Sequence, residues 1–170
     1  MYELKDTPNI IYIDVERALL TKPTVFCDNT KTPFTDKQFD TIFYDPPHGF
    51  GEKQFDHANQ MKDAPSTKIT HLPFGATYYG WDKYSNQQSL IVHVYKAQRE
   101  FHRILKDDGL LWIKWNECRI SLHRVLRLFE DWNILMRLPL ADLSKTWGKS
   151  KSYWIVLTKK KKEYKQLCLS

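Results

Sequence analysis

The chain has 170 residues, 42% of them hydrophobic, enough to bury one core, so a single domain over residues 1–170 is expected. A net charge of +6 and a pI near 9.1 point to an anionic partner, nucleic acid first, although lysines 159–162 form one basic run. Three scattered cysteines (Cys27, Cys118, Cys168) without a CxxC pair argue against a zinc site and a disulfide framework, and no signal-peptide core or long apolar run appears, so a cytoplasmic or nuclear location is expected.

In chain order, residues 9–14 read as a buried strand closed by an acid, Asp14. Residues 15–20 fit a helical turn or more, stopped by Pro23. A second short strand, 24–27, is closed by Asp28, and a polar connection carries Pro33 and Phe34. Thr41 to Tyr44 is a short apolar and β-branched run, the composition of a buried strand. It ends at Asp45-Pro46-Pro47-His48, where two prolines cannot continue a ladder and hold the backbone extended. A carboxylate is thereby fixed at the carboxyl end of a core strand, the edge where open α/β sheets bind ligands.

Residues 48–88 have no clear period and are rich in Gly, Pro and aromatics such as Phe74, Tyr78 and Trp81, which favours an ordered lid or substrate loop. The main helix is expected over 89–105, with Ser89 as N-cap and an apolar stripe of Leu90, Ile91, Val94, Ala97, Phe101, Ile104 and Leu105. Gly109 is placed to end it in a left-handed turn. A strand over 110–115, a helix over 121–129 and strands over 133–138 and 153–158 follow, then a fraying basic tail. Strands alternating with helices predict a mostly parallel α/β sheet with an antiparallel C-terminal edge. Lys114, Trp115 and Asn116 end the strand next to the central one and are candidates to line a substrate pocket. No Gly-x-Ser-x-Gly elbow or Walker-type phosphate loop is present, and the histidines show no metal-ligand spacing.

Taken together and in order, these features resemble the class I, Rossmann-like S-adenosylmethionine-dependent methyltransferases. They are most similar to the amino-group methyltransferases that carry Asp/Asn/Ser-Pro-Pro-Tyr/Phe/Trp. The residues that carry the resemblance are Asp14, Asp28, the run from Pro33 to Asp40, Asp45-Pro46-Pro47-His48, and the segment from Phe101 to Leu111. Lys114-Trp115-Asn116-Glu117 and the late Ser150-Lys151-x-x-Trp154-x-Val156 are similar to short phage-type nucleic-acid methyltransferases. The resemblance implies S-adenosylmethionine as cofactor, with Asp14 on the ribose, Val15 against the adenine, and Asp28 and Asn29 on the adenine amine and ring. It implies that Asp45 and the Pro46 carbonyl accept hydrogen bonds from an exocyclic amine, adenine N6 first. Pro47 stiffens the turn, and His48 stacks on the extruded base in place of the usual Tyr, Phe or Trp.

The family's first strand and its Gly-rich turn have no counterpart before Asn9, since the glycines begin at Gly49. Three explanations follow: an earlier natural start, a homo- or hetero-oligomeric partner that completes the cofactor site, or loss of catalysis. The second function carried forward is accordingly a non-catalytic methyltransferase-like protein that binds nucleic acid or completes a partner enzyme.

Overall fold

The computed structural model describes residues 7–16, 22–50, 83–140 and 151–161. Most of the expected helical turn over 15–20, of the 48–88 loop, of the link before the last strand and of the basic tail lies outside the described residues.

The described elements are β1 (Ile13–Asp14), β2 (Val25–Phe26), β3 (Phe39–Tyr44), α1 (Gln87–Ile104), β4 (Leu105–Asn116), α2 (Leu122–Leu126), β5 (Trp132–Pro139) and β6 (Ser152–Lys159). The fold is α/β. β1 and β2 form a parallel pair, and the other strands form a four-stranded sheet in the order β3-β4-β6-β5. β3 runs parallel to β4, whereas β6 is antiparallel to both β4 and β5. The antiparallel C-terminal edge is therefore present, with β6 inserted between β4 and β5. Among the described residues no ladder joins β1 to β3, so the sheet falls into two pieces.

α1 forms because its apolar positions recur at three and four residues, and Leu90, Val94, Ala97, Phe101 and Ile104 are all buried. Its cap differs from the expectation. Asn86, not Ser89, is the N-cap, and its side chain accepts from the Ser89 N–H at 2.9 Å. The Ser89 hydroxyl returns to the Asn86 backbone, so Ser89 serves as the third residue of a capping box. At the other end Leu105 is already extended (φ −78°, ψ 143°) and begins β4. Gly109 takes no left-handed conformation. It is needed for space: a Cβ there would lie 2.7 Å from Leu105 Cγ and 2.9 Å from the Asp40 carbonyl oxygen.

Burial along β4 alternates, with Leu111, Ile113 and Trp115 enclosed against α1 and Trp112, Lys114 and Asn116 on the opposite face. Cross-strand partners share a face, so Tyr44, Ile155 and Leu157 join the α1 side, and Phe43, Trp154 and Val156 the other. The connection before β3 is strapped to α1. Thr32 donates its N–H and hydroxyl to Glu100, and the Lys37 N–H donates to the Arg103 carbonyl. Lys159, first of the basic run, is not solvated: its ammonium is buried and donates to the Leu105 carbonyl. No helix among the described residues is long and apolar enough to cross a membrane.

Candidate active site

Asp45 leaves β3 one residue after Tyr44, whose ring is buried edge-on against Phe101 at 4.8 Å. Period-two alternation then turns Asp45 toward the face opposite α1, the face that carries Lys114 on the neighbouring strand. The Lys114 ammonium donates to Asp45 Oδ2 at 2.9 Å, and His48 Nε2 lies 3.3 Å from Oδ1. Pro46 is buried and Pro47 half-buried, so the backbone that follows the carboxylate is rigid as well as enclosed. Only 26% of the Asp45 side chain is exposed. Burial pushes its carboxyl up, but the hydrogen bonds from His48 and Lys114 outweigh this and hold it below the usual carboxylate range.

His48 is 13% exposed and packs edge-on against Trp115 at 5.3 Å, with Nδ1 buried and unpartnered among the described residues. Its backbone carbonyl lies 3.2 Å from the Cys118 Sγ, a contact that nothing in the sequence spacing announced. Burial pushes the Cys118 thiol up, so it is a neutral donor there.

The three residues at the end of β4 separate. Lys114 reaches the site. Trp115 does not line an open pocket: it is fully enclosed, and its indole N–H donates to the Ile120 carbonyl. Its parity along β4 points it at the core, so it acts on the site only by seating His48. Asn116 is occupied at both ends, donating to Ser152 Oγ and accepting from the Cys118 N–H, and so shapes the turn after β4.

On the small sheet, the parallel pairing of β1 and β2 puts Asp14 and Asp28 at the same, carboxyl, end. Asp14 Oδ1 accepts from the Glu16 N–H at 2.8 Å, and Val15 beside it is 48% exposed. Asp28 Oδ1 accepts from the Thr30 N–H at 2.7 Å. Burial raises the Asp28 carboxyl, but Thr30's hydrogen bonds and the field of His93 and Lys96 lower it overall. A group the sequence did not reveal lies close by: Tyr44, Tyr84 and His93 all feel the charge of Asp28. Burial first and Asp28 second push the Tyr84 phenol up to about 12, while burial pushes the His93 imidazole down. Asn29 Oδ1 and the Tyr44 hydroxyl are buried without a partner among the described residues. A small surface cleft lined by Tyr95, Gln98, Arg127 and Asp131 includes none of the residues named for the site.

No protein-family model matches the chain, and no curated protein matches it. Among solved structures it is similar to the PH0226 protein from Pyrococcus horikoshii OT3, at 14% identity and a TM-score of 0.46, over 80% of this chain and 58% of that one. It is also similar to a TehB-like SAM-dependent methyltransferase from Corynebacterium glutamicum, at 16% identity and a TM-score of 0.42, over 80% of this chain and 55% of that one. The chain spans a little over half the length of each of these two structures.

Proposed function

We propose that the chain is an S-adenosylmethionine-dependent methyltransferase acting on an exocyclic amine of a nucleic-acid base, adenine N6 first. The observation that carries this reading is Asp45: an ionised carboxylate at the carboxyl end of a core strand, fixed by two prolines behind it and clamped by Lys114 and His48. An aromatic amine is a poor nucleophile because its lone pair is delocalised into the ring. Acceptors that hydrogen-bond its N–H groups favour a tetrahedral nitrogen with the lone pair localised. Each oxygen of Asp45 retains a second lone pair beyond its present contact, so the side chain can accept from a substrate amine without losing Lys114 or His48. Its lowered pKa suits it to accept hydrogen bonds rather than to store a proton. Because the clamp exists before substrate arrives, little ordering is left for the moment of reaction.

The residues of the small sheet fit the cofactor. Asn29 Oδ1 is a buried acceptor without a donor among the described residues, and the ionised Asp28 stands beside it; an adenine amine would supply that donor. Asp14 and Val15 would hold the ribose and adenine. When bound, S-adenosylmethionine supplies an electrophilic methyl group. Transfer of a labelled methyl group to nucleic acid tests the reading. Asp45→Ala should lower it by about 100-fold or more, the scale of one preorganised polar contact, and Asp45→Asn should keep part of it. Wild-type turnover in Asp45→Ala would overturn the assignment.

A second reading is favoured by the two-piece sheet. One edge of β1 and one edge of β3 have no ladder among the described residues. In that reading a partner strand completes the cofactor site, and the chain alone binds nucleic acid without transferring a methyl group. Methyl transfer that appears only on adding a partner would select it.

A further inference from the structure

α1 packs on one face of the four-stranded sheet, and among the described residues the opposite face carries an aromatic strip in which Phe43 is exposed, Trp112 and Trp154 are half-buried and Val156 is buried. Phe43 is 69% exposed there and stacks on Trp112, with ring centroids 5.7 Å apart. Trp154 meets Phe43 edge-on at 6.2 Å and Trp112 at 6.5 Å. Met136 and Leu138, 50% and 40% exposed, continue the strip onto β5. A sheet face normally buries its apolar side chains, and large exposed apolar patches mark interaction sites.

What covers this face is indicated by its continuity with the candidate site and by charge. Phe43 precedes Asp45 by two residues, Trp112 precedes Lys114 by two, and Trp154 lies directly across from Lys114. The rings therefore begin about 7 Å from the site, two residues along a strand. Lys114 lies on the face paired with Asp45, and exposed Lys151, flanking the same end of β6, adds a further positive charge. The chain carries +6 overall, so two copies joined here would bring like charges together, whereas a polyanion would be attracted.

We propose that this face binds single-stranded nucleic acid, with bases that flank the target stacked on Phe43, Trp112 and Trp154. This rests on the proposed amine site in placing the target base at Asp45, and adds the surface that carries its neighbours. Ring faces accept any base, so the platform supplies affinity and positioning rather than sequence choice. It delivers the chain of nucleotides along the strands toward the carboxyl end of β3.

The test is titration of a short fluorescent single-stranded oligoadenylate into the full chain, read by anisotropy without S-adenosylmethionine. Phe43→Ala removes a largely exposed ring that packs on the half-buried rings of Trp112 and Trp154, so the fold should hold. It and Trp154→Ala should each weaken binding by about tenfold or more, the scale of one lost base–aromatic stack. Wild-type affinity in both variants, or no binding by the wild-type chain, would overturn the inference. So would sedimentation as a dimer that Phe43→Ala converts to monomer, which would assign the face to a second copy. Binding that depends on the rings in a protein that transfers no methyl group would overturn the proposed activity and leave this surface standing.

Discussion

Asp45 shows how neighbours decide what a carboxylate can do. Burial alone would raise its pKa; the imidazole and the cation on either side reverse that balance. Lys114→Met should remove the shorter of those contacts, so the Asp45 pKa rises. The acid limb of the pH–rate profile for methyl transfer should then move to higher pH, and an unmoved limb would exclude Asp45 as the titrating group. Glu100 gives a stability counterpart. Its carboxylate accepts from Arg103 and from both donors of Thr32, and it is held down at about 2. Its unfolded value is about 4.3, so its contribution is complete above that pH and is lost as pH falls toward 2. Glu100→Ala should cost about 1–3 kcal/mol at neutral pH by denaturant unfolding, and the difference from wild type should shrink as the solution is acidified through that window. Asp45 was legible in sequence because a β-branched run stops there against two prolines. Its partner Lys114 lies 69 residues away, and only the β3–β4 register shows that Lys114, rather than Trp115, faces it.

At the scale of elements, α1 was the most legible feature, since its stripe needs no tertiary information. The cap and the exit were less so. Asn86 and Ser89 are both capping residues three positions apart, and the sequence does not say which is N-cap until the backbone of Asn86 is seen extended. Gly109 does not end α1 in a turn but lies within β4, and its reason is close approach rather than handedness. Gly109→Ala would drive a methyl group into Leu105 and into the Asp40 carbonyl, which cannot swing aside as a side chain can. We expect a loss of about 1–3 kcal/mol from overpacking, measured by thermal or urea unfolding; an unchanged midpoint would show that β3 and β4 can part there. A polar joint ties α1 to β5. The indole N–H of Trp132 donates to the buried Gln98 Oε1 at 2.8 Å. Gln98→Leu leaves that N–H without an acceptor and should destabilise by about 1–3 kcal/mol, whereas periodicity alone marks position 98 only as a polar interruption of a helix.

Over the whole molecule, the order of strands and helices was readable because apolar runs and turn residues alternate along the chain. The insertion of β6 between β4 and β5 was not, since pairing between distant strands leaves no local mark. Nor was the division of the sheet's two faces. Phe43, Trp112 and Trp154 fall in three separate strands of the sequence, and it is register that sets them together on the side away from α1. Lys159 is the converse case: charge composition assigns it to a solvated run, yet it lies buried and donates to the Leu105 carbonyl where α1 passes into β4. The small sheet brings Asp14, Asp28 and Asn29 to one end, and the charge of Asp28 reaches Tyr44 at the end of β3. Those ends are the cofactor site that the proposed function requires, with Asn29 as its buried acceptor. Calorimetric titration of S-adenosylmethionine into the 170-residue chain tests this most directly. Saturable binding in the micromolar range is expected, weakened when Asn29→Ala removes the buried acceptor. Absence of binding by a folded chain, or equal binding by Asn29→Ala, would contradict it.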